Sequence, residues 1–162
     1  MTTFSVSDHQ EEIEKLLSGA KIESDLVENY EEFGLESHLE DFLVENWQRL
    51  NLGEKYNILK EDDQIIGQQY VTPIGRIDIL AKAKDNSSWL VIELKKGRSD
   101  DQVVGQTLRY IGWVKENLAE KEEVKGLIVT KEKDERLMYA LKTLGNVNLM
   151  TYSVKFDLKQ EK

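Results

Sequence analysis

The sequence has 162 residues, 22 of them basic and 31 acidic, for a formal net charge of −9. This length favours one domain, and a hydrophobic content of 40% is enough for a core. The absence of cysteine excludes disulfides, a thiolate nucleophile and Cys-ligated zinc. No apolar run reaches the roughly 18 residues of a membrane span, and the N-terminus lacks the features of a signal peptide. We therefore expect a cytoplasmic protein without a membrane partner.

The charge is distributed unevenly along the chain. Residues 1–65 contain 17 acids and 5 bases, whereas residues 66–162 contain 14 acids and 17 bases. Nucleic-acid-binding proteins usually carry a basic surface. The slight excess of basic residues in the second part of the chain is therefore compatible with a nucleic-acid partner. The acids of the first part are most simply explained as a solubilising surface.

The first third of the chain predicts helices. A capping box at residues 7–10 opens a helix to about residue 18, and residues 21–33 are acidic and only weakly periodic. A clearer helix is predicted over residues 35–50, because its apolar residues recur at helical spacing. These apolar residues are Leu35, Leu39, Phe42, Leu43, Trp47 and Leu50. Residues 51–65 form a polar connection with a short predicted strand at residues 56–59.

From residue 68 onward the apolar pattern has a period of two, which is typical of strands. A second capping box, at residues 99–102, opens a helix. The predicted elements are strands at residues 68–72, 76–81 and 89–95, a helix from 99 to about 118, a strand at 125–130, a helix at 134–144, a strand at 147–152 and an edge strand at 154–158. This order indicates an α/β domain.

An acidic residue in an otherwise apolar strand is the first candidate functional residue. Asp78 is expected to be costly to bury unless it is paired, hydrogen-bonded or bound to a metal. Fourteen residues separate it from Glu93, and strand alternation places Glu93 and Lys95 on one face. If the two strands form a hairpin, Asp78 can lie beside Glu93, so that two carboxylates and an ammonium group meet.

Two close carboxylates repel each other, and a divalent cation is the usual remedy. Carboxylate oxygens suit Mg²⁺, which keeps several waters and lowers the pKa of one of them. A lysine beside that water can orient or deprotonate it, so the pattern suits phosphodiester hydrolysis. The triplet alone is equally compatible with a solvated ion pair at a strand end.

Two helices offer further polar groups. Gln106 and Tyr110 are one turn apart on a shared face, which suits a phosphate oxygen, a metal-bound water or ordinary amphipathic packing. In the predicted 35–50 helix, Glu36 falls inside the apolar stripe and Glu40 on its rim. Glu36 therefore needs a partner or a metal, unless it is a first-turn carboxylate favoured by the helix dipole.

Four motifs follow one another along the chain: Glu36-x-x-Leu39-Glu40-x-Phe42-Leu43, Gly75-Arg76-Ile77-Asp78, Glu93-Leu94-Lys95-Lys96-Gly97 and Gln106-x-x-x-Tyr110. In this order and spacing the chain resembles the PD-(D/E)XK nuclease superfamily, and more narrowly the nuclease domain of NucS (EndoMS) type endonucleases. The resemblance implies a restriction-endonuclease-like α/β fold, with a mixed central sheet of about four to five strands flanked by helices. The resemblance covers about residues 35–152. We divide the chain into an acidic helical extension over residues 1–33, a nuclease domain over residues 34–158 and a frayed tail at residues 159–162.

The resemblance implies a metal site and a reaction. Asp78 and Glu93, with the backbone carbonyl of Leu94, would ligate Mg²⁺ or Mn²⁺. Glu36 would complete the metal shell, and Glu40 is the weaker candidate for that role. The implied activity is metal-dependent endonucleolytic hydrolysis of DNA that leaves 5′-phosphate and 3′-hydroxyl ends.

The remaining motif residues take supporting roles in the same comparison. Lys95 would position the attacking water, and Gln106 and Tyr110 would bind the scissile phosphate or stiffen the site. Four basic residues could contact nucleic acid: Arg76, Lys96, Arg98 and Arg109.

The sequence departs from the family at two points. The family's proline before the aspartate is Ile77, which leaves the ligand in place. About 34 residues precede the motifs, too few for the separate DNA-binding and dimerising domain of NucS enzymes, so mismatch or branched-DNA specificity is not expected to transfer. Repair, defence and mobile-element functions all stay open.

A nuclease-fold module that binds nucleic acid or regulates it, with little activity of its own, is the alternative function. It would act with a protein partner, and the acidic segment could dock a basic partner or cover the DNA groove. A homodimer is compatible with either function, because cutting both strands of a duplex generally requires two active sites.

Overall fold

The computed structural model describes residues 38–95, 102–153 and 158–162. The helices are α1 (residues 38–45), α2 (Asn51–Lys55), α3 (Gln102–Asn117) and α4 (Glu135–Lys142), with a 3₁₀ turn at Trp47–Arg49. The strands are β1 (Tyr56–Ile58), β2 (Lys60–Glu61), β3 (Gln64–Ile65), β4 (Gln68–Thr72), β5 (Gly75–Ala83), β6 (Ser88–Leu94), β7 (Glu123–Thr130) and β8 (Val147–Thr151). The predicted helix at residues 7–18, the weakly periodic segment 21–33 and nearly all of the predicted edge strand at 154–158 lie outside the described residues.

The central sheet is mixed, as the resemblance implied. Its strand order is β1-β5-β6-β7-β8, and β4 also pairs with β5. β1, β4 and β6 run antiparallel to β5, whereas β6, β7 and β8 are parallel to one another. The parallel pairs require crossovers, and α3 and α4 supply them. Over the described part of the chain the sheet has six strands rather than four to five, because β1 and β4 share one edge of β5.

Two apolar layers cover the sheet, one on each face. Side chains of α3 and α4 pack on one face in a cluster that includes Val91 of β6. The 3₁₀ turn and the partly buried apolar residues of α1 pack on the other face, against Leu90, Ile92 and Leu94. β6 is consequently buried along its whole length. This confirms the alternation predicted for β6, with odd and even residues on opposite faces.

Helix α1 ends at residue 45, five residues before the end of the helix predicted over residues 35–50. The amide side chain and the backbone N–H of Asn46 both bond to the carbonyl of Phe42, at 2.9 and 3.0 Å, and the chain turns there. Phe42 is 46% exposed instead of lying in the apolar stripe. Helix α2 then packs tightly on the turn at Gly53, where a Cβ atom would lie 2.0 Å from the carbonyl oxygen of Trp47. The predicted polar connection after residue 50 therefore begins with a helix.

None of the helices in the described ranges combines the length and the apolar character that crossing a bilayer demands.

Candidate active site

The β5–β6 hairpin brings Asp78 and Glu93 together, as predicted. The antiparallel ladder ends with the pair Ile79 and Ile92. One residue further, the backbone N–H of Asp78 donates to Glu93 Oε1 at 3.4 Å, and the N–H of Leu94 donates to Asp78 Oδ2 at 2.8 Å. Side-chain carboxylates thus take the hydrogen bonds that a continued ladder would have used. The site lies where β5 leaves β6.

Glu93 and Lys95 are buried charges. Glu93 is 3% exposed and Lys95 is 7% exposed, at the end of the central strand. A solvated surface ion pair requires exposed side chains, so this burial excludes that alternative for the pair. Charges at this depth are stable only when they are paired, hydrogen-bonded or bound to an ion.

Helix α1 adds a third carboxylate to the site. Glu40 is 7% exposed, and both of its oxygens accept hydrogen bonds from β4. Gln68 Nε2 donates to Oε1 at 3.1 Å, and Gln69 Nε2 donates to Oε2 at 2.7 Å. A helical wheel places Glu40 on the rim of the apolar stripe, because the wheel uses only the hydropathy of the helix's own residues. It carries no information about the amide side chains that face the helix from β4. Glu36, the preferred candidate from the sequence, lies outside the described residues.

Gln69 is a site residue that the sequence analysis missed. Its Nε2 also donates to Asp78 Oδ1, at 3.2 Å, so one amide bridges two carboxylates. At this level the alternation of β5 is interrupted: Ile77 packs in the α3-side layer and Ile79 in the α1-side layer. The sequence feature that could have indicated it is the pair of adjacent glutamines at the start of β4. An analysis of hydropathy patterns does not take such a pair into account.

Tyr110 and Gln106 lie on α3 as predicted, and their surroundings differ. Tyr110 is buried in the α3-side layer, and its hydroxyl lies against Gly75 at the start of β5. Gly75 has φ +135°, and a Cβ there would be 2.4 Å from the hydroxyl oxygen. This contact fits the stiffening role among the two implied for Tyr110. Gln106 is half-buried one turn earlier.

The basic candidates for nucleic-acid contact are only partly described. Arg76 and Arg109 are both exposed, Arg76 on β5 two residues from Asp78 and Arg109 on α3. Lys96 and Arg98 lie outside the described residues.

The donor set fits a hard divalent cation. Within residues 38–95 and 102–153, no three Asp, Glu, His or Cys side chains form a complete metal-binding group. Asp78 and Glu93 nevertheless offer a pair of carboxylates, and Mg²⁺ is usually held by one or two carboxylates while keeping several waters. The set does not fit zinc, which prefers nitrogen and sulfur ligands.

Comparison of the chain with known protein families identifies the domain. The model of the family described as "Endonuclease NucS C-terminal domain" matches residues 35–153. The chain belongs to this family. The match spans the described α1, the carboxylate hairpin and the Gln106–Tyr110 helix, and it confirms the resemblance to NucS-type members of the PD-(D/E)XK superfamily.

Curated relatives agree with the family assignment. The chain is 33% identical over 106 residues to Endonuclease NucS of Methanocaldococcus jannaschii, which covers 64% of this chain and 36% of that protein. It is 34% identical over 91 residues to Endonuclease NucS of Micrococcus luteus, covering 56% and 38% respectively. The chain therefore spans little more than a third of the length of these relatives.

Solved structures of the same type show the same fold. A repair endonuclease from Pyrococcus abyssi matches with a TM-score of 0.56 and 22% identity, over 72% of this chain and 46% of that one. The structure of an EndoMS–dsDNA complex matches with a TM-score of 0.57 and 18% identity, over 75% and 46%. The mixed sheet flanked by helices is thus the architecture of NucS and EndoMS structures.

Proposed function

We propose that this domain is a metal-dependent DNA endonuclease that leaves 5′-phosphate and 3′-hydroxyl ends. The observation that carries the proposal is the buried carboxylate of Glu93 in contact with Asp78, at the point where two strands of the sheet separate, with the buried Lys95 two residues further along the chain. The relatives are named endonucleases, and one similar structure is described as a complex with double-stranded DNA. The relatives' name supports an endonuclease activity, and the description of the complex supports DNA as the substrate.

The carboxylates provide the place for the cation. Asp78 and Glu93 would hold Mg²⁺ or Mn²⁺, and the Leu94 carbonyl with Glu40 or Glu36 would complete the donor set. The bound ion would supply Lewis-acid stabilisation of the phosphate oxygens and a water of lowered pKa.

The other residues orient the reactants. Lys95 donates a hydrogen bond to the attacking water and offsets negative charge on the phosphate. The water loses a proton to solvent and its oxygen forms a bond to phosphorus while the bond from phosphorus to the 3′ oxygen breaks. That 3′ oxygen takes up a proton from solvent. Gln106 donates to a phosphate oxygen, and Tyr110 stiffens β5 behind the site. Arg76 and Arg109 contact flanking phosphates, as exposed arginines commonly do.

The test is cleavage of labelled single-stranded, duplex, branched and mismatched DNA in Mg²⁺ or Mn²⁺. Asp78→Asn is compared with the unmodified domain, because an asparagine oxygen can still accept from the Leu94 N–H and keep the fold. The expected result is metal-dependent cutting that falls by about two orders of magnitude in the variant, as for loss of a charge-stabilising group. Asp63→Asn is the matched control, since Asp63 is exposed in the β2–β3 turn and its φ of +62° suits asparagine.

Three outcomes would contradict the proposal. Cleavage that survives Asp78→Asn would overturn the site assignment. Products that cannot be joined by a ligase without prior phosphorylation would contradict the 5′-phosphate. Binding of Mn²⁺ and DNA without any cutting would replace the enzyme with a binding or regulatory module that acts with a protein partner.

A further inference from the structure

We propose that Gln69 is a positioning residue that holds the carboxylates of Glu40 and Asp78 in place around the cation site; this role rests on the proposed function. Its Nε2 atom has two hydrogens, and the structure uses one on Glu40 and one on Asp78, at 2.7 and 3.2 Å. Ionised carboxylates only accept hydrogen bonds, so the nitrogen end of the amide must face them.

The backbone of Gln69 supports a dedicated role. Its φ is +50°, in the left-handed region that side-chain-bearing residues rarely occupy. In the β4–β5 ladder, Gln68 pairs with Ile79 and Tyr70 with Ile77, so Gln69 falls opposite Asp78. A conformation of this kind persists only where its surroundings enforce it, and such residues cluster at functional sites.

The bridge completes a set of donors around the two carboxylates. Asp78 Oδ2 accepts from the Leu94 N–H and Oδ1 from Gln69. Glu40 Oε1 accepts from Gln68 and Oε2 from Gln69. Every oxygen of both carboxylates therefore has a donor that fixes its direction. Gln69 is the residue common to both groups, so it sets the position of α1 relative to β5 at the site.

Removing such a partner weakens metal binding without removing a ligand. Hydrogen-bond partners of ligating groups typically contribute 10–100-fold to metal affinity or activity. The amide also offsets the repulsion between the two anions before a cation arrives. We therefore expect the loss of the bridge to appear first in metal affinity.

The test uses Gln69→Asn, which keeps the amide and shortens the side chain by one methylene group. Asparagine tolerates the left-handed region better than most residues, so the variant should still fold, which the thermal midpoint in EDTA checks. The dissociation constant for Mn²⁺, measured by calorimetry without DNA, should rise about 10–100-fold. The Mn²⁺ concentration for half-maximal cleavage should rise by the same factor, with the rate at saturating Mn²⁺ largely kept. Gln64→Asn, at an exposed glutamine of β3, should change none of these values.

The outcomes separate this inference from the proposed function. An unchanged Mn²⁺ dissociation constant in Gln69→Asn overturns the positioning role, whether or not the thermal midpoint falls. Asp78→Asn is measured in parallel. If Asp78→Asn loses Mn²⁺ binding and Gln69→Asn keeps it, only the inference about Gln69 fails. If Asp78→Asn binds Mn²⁺ like the unmodified domain, the metal site and the proposed function fail together.

Discussion

The contact between Gly75 and Tyr110 predicts a large destabilisation for Gly75→Ala. The φ of +135° lies in a region that alanine rarely adopts, which costs about 1–3 kcal/mol. The added Cβ would lie 2.4 Å from the Tyr110 hydroxyl oxygen, and overpacking of this kind costs about 1–3 kcal/mol more. The free energy of unfolding should therefore fall by about 4 kcal/mol. For a chain of this size, that lowers the thermal midpoint by about 8–16 °C.

A double-mutant cycle with Tyr110→Phe separates the two contributions. Removing the hydroxyl leaves the ring carbon Cζ as the nearest atom, at 3.4 Å, which is ordinary contact. Gly75→Ala should then cost about 1–3 kcal/mol less in the Tyr110→Phe background than in the unmodified domain. Urea unfolding of all four proteins gives this coupling. Equal costs in both backgrounds would refute the packing argument, and a cost below about 1 kcal/mol would refute the backbone argument as well.

Three further predictions concern stability. Trp47 Nε1 donates to the Tyr56 carbonyl at 2.8 Å, whereas the buried Nε1 of Trp89 has no hydrogen-bond partner among the described residues. In urea unfolding, Trp47→Phe should therefore lower the free energy of unfolding by about 1 kcal/mol more than Trp89→Phe does. Asp134 caps α4 by accepting from two backbone N–H groups, so Asp134→Ala should cost about 1 kcal/mol and Asp134→Ser much less. Backbone N–H groups of residues 120–122 lower the pKa of Glu122 from 4.5 to about 2. Its contribution to stability is therefore present above pH 4.5 and lost as the pH falls toward 2. The urea midpoint should fall less steeply between pH 4.5 and 2 in Glu122→Gln than in the unmodified domain.

The strands of the hairpin region were predictable from the sequence because their determinants are local. The period-two pattern gave β4, β5 and β6 with small errors at their ends, and turn residues marked the β5–β6 connection. The pairing of Asp78 with Glu93 then followed from antiparallel geometry. A buried central strand also follows from its continuous apolar character.

The end of α1 was less predictable, because it coincides with a hydrogen bond made by a side chain. Asn46 bonds to the carbonyl of Phe42 and turns the chain before Trp47. A hydropathy pattern contains no information about this bond. After this turn the chain continues into the 3₁₀ turn at Trp47–Arg49 and then into α2.

The carboxylate bridge depends on contacts between distant parts of the chain. Gln69 is not a residue that favours positive φ, so its conformation is imposed by Asp78 and by Glu40, 29 residues upstream. Hydropathy patterns do not encode such a constraint. Glu40 was underrated for the same reason, since its burial depends on the amides of β4.

The separation of the site residues along the chain has a kinetic consequence. Gln69 and Asp78 are 9 residues apart, and Asp78 and Glu93 are 15 apart, within one meander of three strands. Contacts this short close rapidly during folding. Glu40 joins them only when α1 docks from outside the meander. We therefore expect the like-charged pair to assemble before its third carboxylate, so that docking of α1 gives the pocket its final charge.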